Sequence, residues 1–176
     1  MKINILSAIL CATTFIFPGA MHAATPKVGD KAPLVEGKGQ DGKSWKLSEA
    51  LGEKVVLLYF YPKDNTPGCT KQACGFRDQI ADLKKDKVEV IGVSFDSSES
   101  HQKFAQKYNL NFPLLADTDG KIADAYGVRR EEGKNIARRV SFLIGKDGKI
   151  AHVTDSGNAD VHLAEMKDAV AKLAKK

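Results

Sequence analysis

The sequence predicts an α/β domain with a mixed central sheet flanked by helices. Two continuous apolar runs, at residues 54–61 and 87–96, have the pattern of strands that are buried on both faces. Each run is followed by a segment with helical spacing. A third segment, residues 138–154, has the pattern of a β-hairpin that turns at Lys146-Asp147-Gly148. Strands that alternate with helices and then end in a hairpin favour a sheet with both parallel and antiparallel strands.

The other elements follow from local patterns in chain order. Residues 34–47 resemble a hairpin with its turn at Asp41-Gly42, and a helix is expected from Cys69 to about Lys85. Ser97-Ser98 predicts the start of a helix that runs to Tyr108. A short strand at 112–117 and a short helix at 120–128 come next.

The closing segment, residues 159–176, has the pattern of an amphipathic helix. The residues expected on its buried face are Val161, Ala164, Met166, Val170 and Leu173.

Length and composition indicate one ordinary globular domain. The chain has 176 residues, of which 43% are hydrophobic and 28% charged. A domain of this size buries a sufficient core without a metal or a disulfide, so its cysteines are free for chemistry. The net charge is +5, but the basic residues are scattered and are not interleaved with aromatics. We therefore expect no nucleic-acid partner.

The first 23 residues predict a secretory signal peptide. Lys2 gives a positive start, residues 3–17 carry no charge and are mostly apolar, and small residues follow the break at Pro18-Gly19. This run is shorter than the roughly 20 residues that span a bilayer. We expect residues 24–176 to form a single exported domain, in the periplasm of a bacterium, with no stable membrane association. Cleavage after Ala24 and an uncleaved anchor are the alternatives.

Cys69 lies where the first buried strand gives way to a helix. The first-turn N–H groups of a helix lack intrahelical partners, and the positive end of the helix dipole stabilises a thiolate there. The same groups stabilise negative charge on an oxygen beside the sulfur. Thr66 adds a hydroxyl for a small, oxygen-rich substrate. These features favour a reactive cysteine over a small buried hydrophobe, which is the common role of a lone cysteine.

Cys74 follows five residues later on the same predicted helix. Five helical residues turn the chain by about 500°, so the two side chains point about 140° apart. A disulfide needs Cα atoms roughly 4.4–6.8 Å apart with facing Cβ atoms. The pair therefore either never bonds or bonds only when the helix unwinds locally, as in a redox switch. Gly75→Ala is expected to strengthen the helix and slow such unwinding.

The segment "PKDNTPGC" resembles the peroxiredoxin active-site pattern Pro-x-x-x-Thr-x-x-Cys. In this sequence the named positions of that pattern are Pro62, Thr66 and Cys69. The Cys-x-x-x-x-Cys spacing and "RRVSFLIGKDGKI" are similar to the peroxiredoxin Q, or bacterioferritin comigratory protein, subgroup. The resemblance covers residues 27–174. It implies a thioredoxin fold with an N-terminal β-hairpin extension, and a thiol-dependent peroxidase for hydrogen peroxide and organic hydroperoxides.

The same resemblance implies the roles of individual residues. Cys69 would form a sulfenic acid, and Cys74 would resolve it as an intramolecular disulfide. Thr66 would orient the peroxide, and Pro62 would shield the thiolate from water. Arg139 would favour the thiolate and hold the peroxide oxygens; from the residues alone Arg138 is an alternative, because side chains alternate along a strand.

The resemblance also implies the partners of such an enzyme. The reductant would be a thioredoxin-like protein or a small thiol, and the chain would be a monomer or a weak homodimer. No cofactor and no metal are expected.

Rival functions fit the sequence less well. A thioredoxin-like copper-delivery protein spaces its cysteines Cys-x-x-x-Cys and adds a distant histidine ligand, and an exported thiol-disulfide reductase uses Cys-x-x-Cys. Here the spacing is longer. His101 and His162 are expected to be exposed on helices, and His152 to lie in a strand. A static structural disulfide in a binding protein is disfavoured by the 140° argument.

Overall fold

A computed structural model describes residues 23–131 and 133–175. Its elements in chain order are β1 (Glu36–Lys38), β2 (Ser44–Lys46), α1 (Leu47–Ala50), β3 (Val55–Phe60), α2 (Pro67–Lys85), β4 (Val88–Ser94), α3 (Ser98–Tyr108), β5 (Leu114–Ala116), α4 (Lys121–Ala125), β6 (Val140–Ile144), β7 (Ile150–Asp155) and α5 (Ala159–Leu173). Except for Ala23, the predicted signal peptide lies outside the described residues. Among the described helices, none is both long enough and apolar enough to cross a bilayer.

The central sheet is mixed, as the sequence predicts. Its strand order is β5-β4-β3-β6-β7; β3, β4 and β5 run parallel, while β6 is antiparallel to both β3 and β7. All six residues of β3 are buried, because the strand lies at the centre of the sheet with a core on each face. Its odd-numbered residues pack under α2, α3 and α5, and its even-numbered residues pack against α1 and α4.

The N-terminal hairpin forms a separate two-stranded sheet from β1 and β2. The predicted turn at Asp41-Gly42 is confirmed, with Gly42 in the left-handed region at a φ of 78°. The hairpin packs on the domain through Gly37, where a Cβ would lie 3.2 Å from Ile122 of α4 and 3.3 Å from Leu115 of β5. The absence of a side chain therefore lets this extension sit close to the domain.

The two long helices after β3 and β4 begin and end close to the predicted positions. α2 begins at Pro67, two residues earlier than expected, because proline suits the first turn of a helix. Ser97 caps α3 by accepting a hydrogen bond from the Ser100 backbone N–H at 3.3 Å. Asn109 ends α3 in the left-handed conformation.

The buried face of α5 differs from the prediction at three positions, one of which is Ala159, buried but not predicted. Met166 and Val170 are buried as expected, but Ala164 is exposed and His162 is fully buried. Residues 162, 166 and 170 follow one another at four-residue spacing, so they share one face of the helix. Ala164 lies two residues from Met166, about 200° around the helix, and faces solvent. The expected Val161 and Leu173 are half-buried.

The prediction that His101 and His162 are exposed was wrong for both. Each has an exposed fraction of 0%. His101 belongs to the buried stripe of α3 together with Phe104 and Ala105, at the three- and four-residue spacing of one helix face. A polar ring can occupy such a position only if its nitrogens find partners. His152 lies in β7, as predicted.

Candidate active site

Cys69 occupies the third position of α2, beyond the carboxyl end of β3. Its side chain is buried, with 1% of its surface exposed, and it is a free thiol. The loop that leads to it closes through Thr66, whose hydroxyl donates to the Lys63 carbonyl at 3.0 Å. The Thr66 carbonyl in turn accepts from the Thr70 N–H at 2.8 Å and starts the helix. The thiol therefore sits among the unpaired N–H groups of the first turn.

Arg139 brings a positive charge to this thiol. Its Nη2 lies 3.3 Å from the Cys69 Sγ. The contact follows from the sheet: Val140 of β6 pairs with Phe60 of β3, so the residue before β6 lies beside the loop after β3. Gly68 leaves room for the guanidinium, since a Cβ there would lie 3.1 Å from Nη2. A full positive charge therefore lies within hydrogen-bonding distance of the sulfur.

Two further hydrogen bonds orient the Arg139 guanidinium. Its Nε donates to the Gly157 carbonyl at 3.2 Å, and its Nη1 donates to the Gln72 Oε1 at 2.6 Å. Within the described residues, these bonds and the contact with Cys69 engage three of the five N–H donors. The other two are left for oxygen atoms of a substrate.

Arg138 points away from Cys69. Its guanidinium bonds to Asp155, to the Thr25 hydroxyl at 2.9 Å and to the Gly127 carbonyl at 3.1 Å. These groups lie among β7, the N-terminal segment and the turn after α4. Of the two adjacent arginines, the structure therefore brings Arg139 to the thiol, and Arg138 serves to tie three segments together.

Pro62 and Thr66 lie in the loop that leads from β3 into α2. Pro62 is half-buried directly after β3, and Thr66 is half-buried directly before α2. Because the Thr66 hydroxyl uses its proton on Lys63, its oxygen can still accept a hydrogen bond.

Cys74 is half-buried on the same helix and is also a free thiol. Because α2 is continuous from Pro67 to Lys85, the two cysteines lie about 7.5 Å apart along its axis and on different faces. They cannot bond in this conformation. The expectation for Gly75→Ala needs correction: a Cβ at Gly75 would lie 2.3 Å from Leu163 Cδ1, so alanine would force the Leu163 side chain to move as well as stiffen α2.

A buried chain of hydrogen bonds extends from Arg139 into the protein and was not predicted. Gln72, which accepts from Arg139, places its Nε2 at 3.5 Å from the Ser141 Oγ. That hydroxyl lies 2.8 Å from the His162 Nδ1, and the His162 Nε2 lies 2.9 Å from the Ser156 carbonyl. The spacing of His162 with Met166 and Val170 was the one sequence signal that could have placed His162 inside.

A second buried cluster holds the loop that contains Pro62 and Thr66. Asp64 accepts hydrogen bonds from the Tyr61 hydroxyl at 2.8 Å and from the Ser100 hydroxyl at 2.7 Å, and its Oδ2 lies 2.9 Å from the His101 Nδ1. The His101 Nε2 lies 3.1 Å from the Leu115 carbonyl. Both ring nitrogens thus face acceptors, which is the bonding pattern of an imidazolium.

Asp64 keeps its charge in this cluster. Burial by itself would raise the pKa of the Asp64 carboxyl, but the hydrogen bonds and charge of His101 and the hydroxyls of Ser100 and Tyr61 lower that pKa overall. The cluster therefore ties the loop to α3 through a buried pair of opposite charges.

The family model described as the AhpC/TSA family matches residues 28–153. Escherichia coli (strain K12) peroxiredoxin Bcp is 46% identical over 151 residues, which cover 81% of this chain and 96% of that protein. Bacillus subtilis (strain 168) peroxiredoxin Bcp is 41% identical over 157 residues, which cover 86% of this chain and 99% of the relative.

Solved structures show the same arrangement of elements. Peroxidoxin BcpB from Mycobacterium tuberculosis superposes with a TM-score of 0.76 at 36% identity, covering 84% of this chain and 96% of that one. A Xanthomonas campestris bacterioferritin comigratory protein, whose structure concerns alkyl peroxide reduction activity, gives a TM-score of 0.72 at 28% identity, covering 80% of this chain and 92% of that one.

Proposed function

The chain belongs to the AhpC/TSA family, and on that premise we propose that it is a thiol peroxidase in which Cys69 attacks hydroperoxides. The observation that carries the proposal is the Cys69 thiol at the start of α2 with the Arg139 guanidinium 3.3 Å away. The similarity of the chain to Bcp and peroxiredoxin Q proteins extends over about four fifths of its length. The alkyl peroxide reduction named for the Xanthomonas campestris protein supports organic hydroperoxides as substrates beside hydrogen peroxide.

In the first step, the Cys69 thiolate attacks one oxygen of the peroxide bond. The S–O bond forms as the O–O bond breaks, and the departing oxygen takes a proton to leave as water or an alcohol. The sulfur becomes a sulfenic acid and is oxidised by two electrons. Arg139 and the first-turn N–H groups stabilise the charge on the oxygens. Thr66 orients the peroxide with its hydroxyl, and Pro62 limits the access of water.

In the second step, the Cys74 thiolate attacks the sulfenic sulfur of Cys69. An S–S bond forms and hydroxide leaves, to be protonated to water. Because α2 holds the two cysteines on different faces, the segment between them must open first. A dithiol of a thioredoxin-like protein or a pair of small thiols then reduces the disulfide by thiol–disulfide exchange.

Export to an extracytoplasmic compartment, the periplasm of a bacterium, is a further part of the proposal. It is supported by the charged start, the uncharged run and the small residues of the first 23 positions. The Escherichia coli relative is matched over 96% of its length, whereas that match covers 81% of this chain. Fractionation of cells and mass measurement of the product test it; a cytosolic, full-length product would overturn it.

Single-turnover oxidation tests the peroxidase proposal. We expect Cys69→Ser to abolish consumption of peroxide, and Cys74→Ser to consume one equivalent and then turn over only with a small thiol. Arg139→Ala should slow the oxidation of Cys69, whereas Arg138→Ala, the matched control, should slow it much less. Peroxide turnover by Cys69→Ser at the wild-type rate would refute the assignment.

A further inference from the structure

His162 lies fully buried at the far end of the hydrogen-bond chain from Arg139, and the activity described above does not use it. The Ser156 carbonyl can only accept, so the His162 Nε2 carries a proton and donates to it. The Nδ1 of a neutral imidazole is then an acceptor, and the Ser141 hydroxyl must donate to it.

The direction of that bond fixes the next one. With its proton committed to His162, the Ser141 oxygen can only accept from Gln72, which presents its Nε2. The Gln72 amide is thereby held with its Oε1 towards Arg139, where it accepts from Nη1 at 2.6 Å. Every donor in the chain points away from Cys69 and towards His162, and each bond depends on the next.

We propose that His162 is a positioning residue that holds Arg139 against Cys69 through Ser141 and Gln72, and that a proton on His162 releases this hold. An imidazolium has two donors and no acceptor, so the Ser141 hydroxyl would lose its acceptor. It would turn to the Gln72 Oε1, and the amide would rotate its NH₂ group towards the Arg139 guanidinium. Two donors would then face each other, and the guanidinium would move away from the thiol.

The surroundings of His162 favour the neutral ring near pH 7. Burial lowers the pKa of His162, and the positive charge of Arg139 lowers it further. The Ser156 carbonyl and the carboxylates of Glu165 on α5 and Asp155 on β7 oppose this shift without reversing it. Hydrogen bonds from Thr154 and His152 lower the pKa of Glu165, so that carboxylate keeps its charge across the mildly acidic range.

This inference rests on the proposed peroxidase function, and its test separates the two. The rate of oxidation of Cys69 by hydrogen peroxide is measured in a single turnover from pH 5 to 8. The variants are His162→Leu, His162→Gln and Ser141→Ala. At pH 7 we expect His162→Leu and Ser141→Ala to be slower than wild type by about two- to tenfold, the effect of losing one positioning hydrogen bond.

His162→Gln is the conservative rescue. Its amide can accept from Ser141 and donate to Ser156 but does not titrate, so it should retain the rate at pH 7 and lose less rate than wild type at pH 5. His152→Gln, a half-buried histidine on β7 that contacts Glu165, is the matched control and should keep the wild-type profile.

The outcomes distinguish two failures. If all His162 and Ser141 variants follow the wild-type rate and pH profile, the inference is wrong and the peroxidase proposal stands. If wild-type protein does not oxidise Cys69 with peroxide, the proposed function itself fails. If His162→Leu does not fold, Ser141→Ala and His162→Gln still test the inference. If the role of His162 were purely structural, His162→Gln would lose as much oxidation rate at pH 5 as wild type does.

Discussion

The two fully buried histidines, His101 on α3 and His162 on α5, are held in different ways. His101 has an acceptor at both nitrogens, the Asp64 carboxylate and the Leu115 carbonyl, and so forms part of a buried ion pair. His162 has one acceptor, the Ser156 carbonyl, and one hydroxyl that donates to it. The same residue type, equally buried, thus has the bonding pattern of an imidazolium in one cluster and that of a neutral imidazole in the other.

The difference shows that neighbours, and not depth of burial, decide what a buried histidine does. At His101 the carboxylate compensates the cost of removing a charge from water, and the loop bearing Pro62 and Thr66 is anchored as a result. At His162 burial lowers the pKa and the guanidinium of Arg139 lowers it further, and the carboxylates of Glu165 and Asp155 do not reverse the shift. One histidine suits a permanent anchor and the other a group that responds to pH.

The largest expected effect comes from breaking the ion pair. His101→Leu leaves the Asp64 carboxylate buried without its counter-charge and should lower the free energy of unfolding by about 3–5 kcal/mol. Urea denaturation measures it. His162→Leu, the same change at the neutral site, should cost only about 1–3 kcal/mol, because it strands hydrogen-bonding groups and no charge. Equal losses of unfolding free energy in the two variants would contradict the assignment of a protonated His101 and a neutral His162.

Lowering the pH should affect the two histidine clusters differently, with a change in the free energy of unfolding of intermediate size. Burial lowers the pKa of His162 in the native state. As the pH falls below about 6.5, the unfolded chain therefore binds a proton at this histidine before the native protein does. The contribution to stability is therefore complete above pH 6.5 and is lost as the pH falls through the native pKa. The Asp64 carboxyl, whose pKa is lowered, loses its contribution only below about pH 3.9.

The measurement is the free energy of unfolding at pH 7.5 and pH 5.5. We expect His162→Gln to lose less stability between these values than wild type does. Asp160→Asn, a change at an exposed carboxylate of α5, should lose as much as wild type. A wild-type slope in His162→Gln would assign the acid sensitivity to another group.

The smallest effect belongs to an exposed counterpart of the buried pair. Lys71 on α2 and Asp160 on α5 approach within 2.6 Å, but the side chains are 59% and 57% exposed. Asp160→Asn should therefore cost only about 0.2–1 kcal/mol, and the loss should shrink at high salt. Denaturation at low and high ionic strength measures this loss. A loss as large as that of His101→Leu would show that the exposure of these side chains does not predict the contribution of the ion pair to stability.

Much of the fold could be predicted because its signals are local. The continuous apolar runs of β3 and β4, the Asp41-Gly42 turn and the serine cap of α3 each depend on a few neighbouring residues. The position of Cys69 at a strand–helix junction was predictable for the same reason. These patterns fix backbone conformation directly, through burial on both faces, left-handed glycine and unpaired helix N–H groups.

The sequence by itself thus determined the order of strands and helices, the mixed sheet, and the position of Cys69 at the start of α2. The family resemblance named Arg139, but the residues alone left Arg138 open. The tertiary structure decided between them, because it brings Arg139 to Cys69 from 70 positions away, and it also brings His101 to Asp64 across 37. A polar side chain is stable inside only when such a distant partner compensates the loss of water. Because the fold supplies that partner, the burial and charge of His101 and His162 could not be predicted from their own segments.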